Sequence, residues 1–596
     1  MNQNEIRCLI GAVSDGHLSR RGFIQRLAAV GLTAPMASML LVDAGVAQPR
    51  PAHIYAPTKR GGGGVLRLLW WQAPTLLNPH FANGNKDQDA SRIFYEPLAS
   101  WTEEGDLLPV LAAKIPSRED RTVSADGLTV TWTLKQGVKW HDGKTFTADD
   151  VVFTWDYSRD QATATVTRGS YVDIKVEKID SQTVKITFDK PTPFWASCFT
   201  GGAGMILPKH VFGQFIGANS RDAPANLKPV GTGPFKCVEF KPGDSLKGEI
   251  NADYHIANMP HFDTVELKGG GDAVSAARAV IQTGEFDFGW NMQVEDEVLQ
   301  RVEQGGKGRA VIVGGGSIEF LRINFSDPHT EVDGERSSPK SKHPAFQDKA
   351  VREALSYLVD RASVEKFIYG RTGLATANVV NNPQRHRSKT TTYEFSIDKA
   401  NAILDKAGWA RGTDGIRTKG GAKLKWVYQT TINGPRQKTQ AIVKQAAAKA
   451  GIDIELKSIV ASVFFSSDVA NPDTIGKFFA DLQMNTATMG QPDAGIFLRQ
   501  FTTKEMTSKE NKWLGRNYNR YANPEYDKAW IESESELDPV KRAALLIRCN
   551  DILVEDIVVI PIVYRPSVHA QSLRLRCPLS DWDSPLCQLN SWYREG

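Results

Sequence analysis

The chain has 596 residues, of which 41% are hydrophobic and 23% are charged, and its formal net charge is +4. This length is too great for a single hydrophobic core, so we expect at least two lobes. The net charge is small and no sustained basic run is present. Nucleic acid is therefore excluded as an expected partner.

The N-terminal segment has the features of an export signal. Arg20 and Arg21 precede an apolar stretch over residues 27–42, and small residues end the segment at Ala47. This order predicts a twin-arginine signal peptide over residues 1–47, with cleavage after Ala47. The apolar stretch is shorter than the roughly 20 residues of a membrane helix. We expect a soluble protein that is exported to the periplasm.

Six cysteines are present, and cleavage of the signal removes Cys8. An oxidising periplasm permits a bridge between Cys577 and Cys587, but a chain of this size does not need one to fold. The sequence leaves this disulfide open.

The first part of the mature chain predicts strands. Residues 48–63 are rich in proline and glycine and predict a flexible leader. Residues 65–71 are apolar enough for a buried strand. Apolar residues alternate with polar ones over residues 128–134, and shorter alternating runs follow at 174–176 and 184–188. These runs predict a small antiparallel sheet.

Helices and strands alternate in the second half of the chain. Apolar residues at helical spacing between Val351 and Val359 mark one face of a helix. Residues 442–450 predict another amphipathic helix, which Gly451 ends, and residues 452–456 alternate as a strand. The pattern indicates an α/β architecture.

Asp149 and Asp150 could suggest paired catalytic acids. Thr147 precedes them and an apolar run follows, which predicts a capping box with Thr147 as the N-cap and the acids in the first turn of a helix. We expect this acidic pair to be structural.

Motifs for catalysis and cofactor binding are incomplete. Residues 143–145 lack the glycine of a phosphate-binding loop, because position 138 is valine. Glu319 occupies the last position of what would be a nucleophile elbow. His255 and His261 lack the further ligands of a metal site. The sequence therefore predicts no catalytic residue, no metal and no cofactor.

The strongest motif lies at residues 139–152, which read KWHDGKTFTADDVV. It closely resembles the signature of the extracellular solute-binding proteins (family 5) that serve dipeptide and oligopeptide ABC importers. Further segments fit this family in the same order, at residues 77–79, 231–235, 351–361, 407–409 and 560–564. The resemblance covers essentially the whole mature chain.

The resemblance implies an α/β, two-lobed periplasmic-binding-protein fold (type II, large cluster) with an extra subdomain and a two-strand hinge. On this chain the first lobe maps to residues 64–91, 194–319 and 563–596, the subdomain to 92–193, and the second lobe to 320–562. The chain is expected to leave the first lobe near residues 320–325 and to return near 560–565. The implied partners are a peptide or other small solute and the permease and ATPase subunits of an importer, with the receptor itself a monomer.

Peptide-binding members hold the ligand between the loop after the first strand and a segment of the second lobe, which correspond here to residues 72–76 and 484–493. The expected substrate-binding residues are Trp71, Gln72, Thr75, Leu76, Met484, Asn485, Thr486, Thr488, Gln491, Asp493 and Tyr564. For either Trp70 or Trp71, core packing is an alternative role.

One expected residue is replaced in this chain. The family fixes the amino terminus of a peptide with an aspartate four residues before a proline, and Thr488 stands there, before Pro492. Threonine can hydrogen-bond an ammonium group but cannot neutralise it. Asp493 is close enough in sequence to substitute, and an arginine that some members use is replaced by Leu482.

The sequence leaves three alternatives to a peptide receptor open. The ligand could carry a capped amine or be an opine or an oligosaccharide. A secreted hydrolase would need two carboxylates facing one cleft, whereas a receptor predicts a cleft lined by neutral polar and aromatic groups. A signalling receptor that binds without transport has the same sequence features.

Overall fold

The computed structural model describes residues 3–14, 18, 20–28, 57–103, 105–466 and 468–595. Two helices, Gln3–Ser14 and Arg20–Ala28, come first and pack through a small apolar cluster. Most of the predicted apolar signal stretch, the cleavage position at Ala47 and residues 48–56 of the predicted leader lie outside the described residues. Within the described ranges, no helix is long and apolar enough to cross a membrane.

A seven-stranded sheet forms the first lobe. In spatial order its strands are Gly308–Val313, Ser567–Ser572, Phe288–Gly289, Val65–Trp70, Thr264–Gly269, Ser245–Ile250 and Phe235–Lys241. The Val65–Trp70 strand is central and runs parallel to both of its neighbours. Leu66 and Leu68 enter the main core, whereas Leu69 packs on the opposite face. Burial on both faces is what the apolar sequence of this strand predicts.

A separate three-stranded antiparallel sheet lies within residues 92–193. Its strands are Thr129–Thr133, Thr183–Phe188 and Ile174–Asp180, in that spatial order. Val130 and Trp132 are buried and stand opposite Ile186 and Val184. The alternation in the sequence predicted this sheet.

His141 joins the KWHDGKTFTADDVV motif to the 231–235 segment. Its backbone N–H donates to Gly231 O at 2.8 Å, and the Gly231 N–H donates to His141 Nδ1 at 3.1 Å. His141 Nε2 lies 3.1 Å from Gly233 O. Burial lowers the pKa of His141 to about 4. The ring is therefore neutral, with Nδ1 accepting and Nε2 donating, and the two motifs form one structural unit.

The Ala148–Arg159 helix begins with the predicted capping box. Thr147 Oγ1 accepts from the Asp149 N–H at 3.3 Å, and Asp150 Oδ2 accepts from the Thr147 N–H at 3.0 Å. Trp140 Nε1 donates to the same oxygen of Asp150 at 3.3 Å. The acidic pair at 149 and 150 is therefore structural, as predicted.

A six-stranded sheet forms the second lobe. In spatial order its strands are Leu374–Ala375, Val559–Tyr564, Ile318–Ile323, Leu482–Ala487, Lys425–Thr431 and Asp453–Ile459. Two helices predicted from the sequence, Lys349–Tyr357 and Gly434–Lys449, contribute to the same core as this sheet. The second helix starts earlier than predicted because Asn433 caps it, and it ends before Gly451, whose φ is +78°.

Other short elements surround these sheets. The remaining α-helices are Asn85–Arg92, Lys209–Phe212, Ala273–Ala277, Asp296–Glu303, Arg361–Val364, Ile397–Lys406, Ala461–Phe464, Ala494–Leu498, Pro524–Ser533 and Pro539–Glu555. The remaining strands are Ala99–Trp101, Leu107–Pro109, Glu331–Val332, Glu335–Arg336, Ala410–Arg411, Arg417–Lys419, Ala422–Lys423, Leu575–Arg576 and Tyr593–Arg594.

Two short segments connect the two large sheets. The first is residues 314–317, between strands that belong to different sheets, and the second is residues 565–566. The first crossing lies before the expected exit at 320–325, because the buried Ile318–Ile323 strand is already part of the second sheet. The second crossing directly follows the Val559–Tyr564 strand.

Hydrogen bonds hold the two crossings side by side. Tyr564 Oη donates to Gly315 O at 3.0 Å, and the Arg565 N–H donates to Ser317 O at 3.0 Å. Glycine is required at position 315 because a Cβ there would overlap the Asp581 carboxylate. The joint between the lobes is therefore closely packed.

All six cysteines are free thiols, so Cys577 and Cys587 are not bridged in this structure. Burial raises the pKa of the Cys577 thiol to about 12. Burial also raises the pKa of the Cys587 thiol well above its usual value.

We expect Thr147→Ala to destabilise the protein by about 1 kcal/mol, because the Asp149 N–H at the helix start loses its side-chain acceptor. Urea unfolding followed by tryptophan fluorescence measures this loss. Thr145→Ala is the matched control, since Thr145 is exposed and such a change costs less than about 0.5 kcal/mol. Equal stability of the two variants would contradict the capping role.

Candidate functional site

A cavity of about 370 Å³ lies between the two large sheets. It is lined mainly by residues 82–89, 485–500 and 581–585, and by Ser317 and Arg565 from or beside the two crossings. We call this cavity the cleft. A second cavity, of about 510 Å³, is lined only by residues between 375 and 393. The cleft is the candidate site because both sheets and both crossings shape it.

Several predicted site residues meet in the cleft. Those that line it are Gln72, Asn485, Thr486, Thr488, Gln491 and Asp493. Ser317 Oγ donates to Thr488 Oγ1 at 3.1 Å, and Gln491 Nε2 donates to Thr200 O at 3.2 Å. The segment predicted in the second lobe thus contacts both a crossing and the first lobe.

The other predicted site residues do not line the cleft: Trp71, Thr75, Leu76, Met484 and Tyr564. Trp71 is buried on the other face of the first sheet, where its Nε1 donates to Asn291 O at 2.8 Å. The N–H groups of Thr75 and Leu76 donate to Asp87 Oδ1. Met484 alternates with its strand neighbours into the core of the second lobe, and Tyr564 packs the crossings.

A buried ion pair supports the second-lobe side of the cleft. Arg436 Nε donates to Glu319 Oε1 at 2.8 Å, with the two side chains 3% and 0% exposed. Arg436 also donates to Thr486 Oγ1 at 2.9 Å. Gln293 Nε2, from the first lobe, donates to Glu319 Oε2 at 3.1 Å. The pair is fully compensated and fixes the strand that leaves the first crossing.

Arg322 lies beside the cleft without a carboxylate partner among the described residues. Its guanidinium donates to Asn485 Oδ1, Asn519 Oδ1 and Gln500 Oε1 at 2.8–3.0 Å. The Phe320 ring lies 4.6 Å from the guanidinium carbon. Burial lowers the pKa of Arg322 to about 9, so the group is still charged at neutral pH. A buried guanidinium with neutral partners can accept an anionic ligand group.

Two more arginines line the cleft. Arg565, at the second crossing, donates to Thr486 Oγ1 at 3.4 Å and to Asn291 Oδ1. Arg516 is half-buried in the second lobe. The second-lobe side of the cleft therefore carries positive charge.

Three acidic side chains line the first-lobe side, the buried Asp89 and Asp581 and the half-buried Asp583. Burial raises the pKa of Asp89 to about 8 and the pKa of Asp581 to about 7. This ionisable wall differs from the neutral polar and aromatic lining that we expected for a receptor. The part of the chain that the structure describes contains no group of three or more His, Cys, Asp or Glu side chains that could hold a metal ion.

Asp493 does not offer a free carboxylate in place of the missing aspartate at position 488. Arg542 pairs with both of its oxygens, and Arg542 Nη2 lies 2.9 Å from Asp493 Oδ1. Asp493 Oδ1 also accepts from the Gly495 N–H at 2.9 Å and caps the Ala494–Leu498 helix. Although burial opposes ionisation, the Arg542 guanidinium holds the pKa of Asp493 below its usual value. This carboxylate is already neutralised inside the second lobe.

Sequence reasoning missed the charged residues of the cleft and Trp290, which lines it and stacks on Trp70. One signal was present in the Ile318–Ile323 strand. Glu319 and Arg322 interrupt an otherwise apolar strand, and charges are rarely fully buried without a partner or a function. No comparable signal marks Asp89, because its neighbourhood arises only when distant segments meet.

Comparison with known proteins places these features in context. Residues 106–506 match the family described as "Bacterial extracellular solute-binding proteins, family 5 Middle". Oligopeptide-binding protein AppA of Bacillus subtilis is 28% identical over 475 residues, covering 78% of this chain and 79% of AppA. Glutathione-binding protein GsiB of Escherichia coli K12 is 25% identical over 518 residues, covering 84% of this chain and 89% of GsiB. The AppA structure with a nonapeptide has a TM-score of 0.76 at 25% identity and covers 91% of this chain and 100% of AppA.

We expect Asp89→Asn to stabilise the ligand-free protein, and to do so more at pH 8 than at pH 5. A carboxyl group whose pKa is raised by folding contributes fully below its unfolded pKa of about 3.9. Its contribution is lost as the pH rises towards about 8, the folded value. The difference in unfolding free energy between variant and parent should widen by about 1–3 kcal/mol over this interval.

Urea unfolding of variant and parent at both pH values measures this difference. Other titrating groups are common to both proteins and cancel in the comparison. The matched control is Asp189→Asn, because Asp189 is exposed. A stability difference that does not change with pH would contradict the raised pKa of Asp89.

Proposed function

Because the chain belongs to the bacterial extracellular solute-binding proteins of family 5, we propose that it is the periplasmic receptor of an ABC importer. It captures a peptide or peptide-like solute between its lobes and delivers it to a permease that works with ATPase subunits. The observation that carries the proposal is the cleft, which both sheets line beside two short crossings. Such a site binds by desolvation and hydrogen bonding and needs no reacting residue.

The relatives favour a peptide as the ligand. AppA is named for oligopeptide binding and was solved with a nonapeptide, and GsiB is named for glutathione binding. In this chain Asn485, Thr486, Thr488 and Gln491 line the cleft. Their side chains offer neutral donors and acceptors that match the amide groups of an extended peptide.

We propose the lobe division that the sequence predicted, with two boundaries moved to the crossings. The sequence predicted a first lobe over 64–91, 194–319 and 563–596, a subdomain over 92–193 and a second lobe over 320–562. The first large sheet takes its strands from residues 65–313 and 567–572, and the second from residues 318–564, so we place the change of lobe at 314–317 and at 565–566. We also propose that the receptor is a monomer, since the two sheets that line the cleft are joined within one chain.

A secreted hydrolase is the second candidate. Asp89, Asp581 and Asp583 face one cleft, and paired carboxylates can activate water. The receptor is preferred because the family consists of solute-binding proteins. Opines, oligosaccharides and peptides with a capped amine are the alternative ligands, since Thr488 cannot neutralise an ammonium group.

We expect intact peptides to co-purify with the protein from its native periplasm, where mass spectrometry of released solutes identifies them. A tripeptide library should also raise the melting temperature, because a ligand at 100 times its Kd adds about 2.7 kcal/mol of stability. Recovery of non-peptidic solutes alone, with no shift from the library, would remove the peptide assignment. Recovery of cleaved peptides would favour the hydrolase.

We also propose export by the twin-arginine route. Replacing Arg20 and Arg21 together by lysine keeps the charge but removes the paired guanidinium groups, so we expect the protein to remain in the cytoplasm. Immunoblots of periplasmic and cytoplasmic fractions measure this. Arg26→Lys, in the same described helix, is the control and should leave export unchanged. Normal export of the double variant would exclude this route.

A further inference from the structure

We infer that Asp89, Asp581 and Asp583 form a cation subsite on the first lobe that binds the ammonium group of the solute. The inference rests on the proposed function and names a part of its ligand. Thr488 cannot provide a negative charge for the ammonium group. In this inference residues of the first lobe, remote in sequence from the 484–493 segment, provide it instead.

Asp89 and Asp581 are buried and Asp583 is half-buried, and none of the three forms an ion pair within 4.0 Å among the described residues. The oxygens of Asp583 accept the N–H groups of Trp101 and Ser584. In the described part of the chain, Asp89 Oδ2 and Asp581 Oδ2 have no hydrogen-bond partner, although these residues are only 3% and 7% exposed. Charges of the other two carboxylates act on Asp89. Without a cation such groups either stay protonated or cost stability when they ionise, and an entering ammonium group would favour their ionised form.

The nearest arginines are engaged elsewhere. Arg92 donates to Tyr95 O, Ser100 Oγ and Cys587 O, at 2.9–3.1 Å. Arg565 donates to Thr486 and Asn291. Each arginine attracts one of the carboxylates at longer range, Arg92 acting on Asp583 and Arg565 on Asp581. These arginines thus favour the ionised forms of Asp581 and Asp583 from a distance, but neither forms an ion pair with them.

A second observation points to the same kind of ligand. Gln491 Oε1, from the second lobe, is a buried acceptor without a partner in a side chain that is 6% exposed. Its Nε2 is held by Thr200 O and Thr200 Oγ1 at 3.1–3.2 Å. A Cβ on the next residue, Gly201, would lie 3.7 Å from the Asp583 carboxyl carbon. This corner of the cleft therefore presents unfilled acceptors from both lobes, which suit an ammonium group with its three donors.

The rest of the cleft has the opposite charge. Arg322 and Arg516 line it from the second lobe, and the described partners of Arg322 are neutral. A zwitterionic solute would therefore lie with its ammonium group towards the first lobe and its carboxylate towards the second. This arrangement of complementary charges gives orientation as well as affinity.

The test compares a free-amine tripeptide library with the same library after N-acetylation, using thermal shift and calorimetry. We expect the parent protein to bind the free-amine peptides at least tenfold more tightly. Asp581→Asn and Asp583→Asn should each reduce this preference to below threefold. Asp189→Asn, an exposed site, should retain it.

Asp581→Asn is nearly isosteric and removes a buried ionisable group, so its ligand-free melting temperature should not fall. Asp583→Asn loses one of the two bonds from the Trp101 and Ser584 N–H groups, so its ligand-free melting temperature should fall slightly. Equal binding of both libraries by the parent, or an undiminished preference in both variants, would overturn the subsite and leave the receptor function standing. Protection by calcium chloride alone that matches the peptides would assign the position to an inorganic cation and overturn the inference. If neither library binds, the proposed peptide function fails as well.

Discussion

The joint between the two sheets is the constraint on which the rest of the structure depends. Residues 314–317 and 565–566 carry the chain between the sheets, and Tyr564 Oη donates to Gly315 O of the first crossing at 3.0 Å. The cleft lies beside this joint, because Ser317 and Arg565 are among its lining residues. A change in the angle between the sheets would therefore also move the walls of the cleft.

Charge is distributed unevenly around this joint. The Glu319–Arg436 pair is buried and satisfied, and it belongs to the framework. Asp89 and Asp581, by contrast, keep oxygens without partners, and Arg322 has only neutral partners among the described residues. Buried ionisable groups without a counter-ion reduce stability when they are charged, and binding sites tolerate them because a ligand can supply the counter-ion. The charge distribution of the cleft is therefore suited to binding a solute that supplies the missing counter-ions.

Local features were predicted correctly from the sequence, whereas the positions of two predicted site residues were not. The capping box at Thr147 depends on neighbours within three residues, so local reasoning found it, and the structure has the same hydrogen bonds. Met484 was predicted in the site from a family position, yet strand alternation directs it into the core of the second lobe. Asp493 was expected to be available, yet Arg542, far along the chain, already neutralises it. Alternation along the Leu482–Ala487 strand could have placed Met484 in the core, whereas the contact between Asp493 and Arg542, 49 residues apart, is in no local pattern.

The sequence by itself determined the elements and their family. Periodicity, caps and the KWHDGKTFTADDVV motif depend on residues that are close in the chain, and these predicted an α/β protein of the extracellular solute-binding type. The tertiary structure decided which side chains reach the cleft and which charges remain unpaired. Asp89 and Asp581 are nearly the whole chain apart, and burial raises the pKa of each only because folding removes both from water in one place.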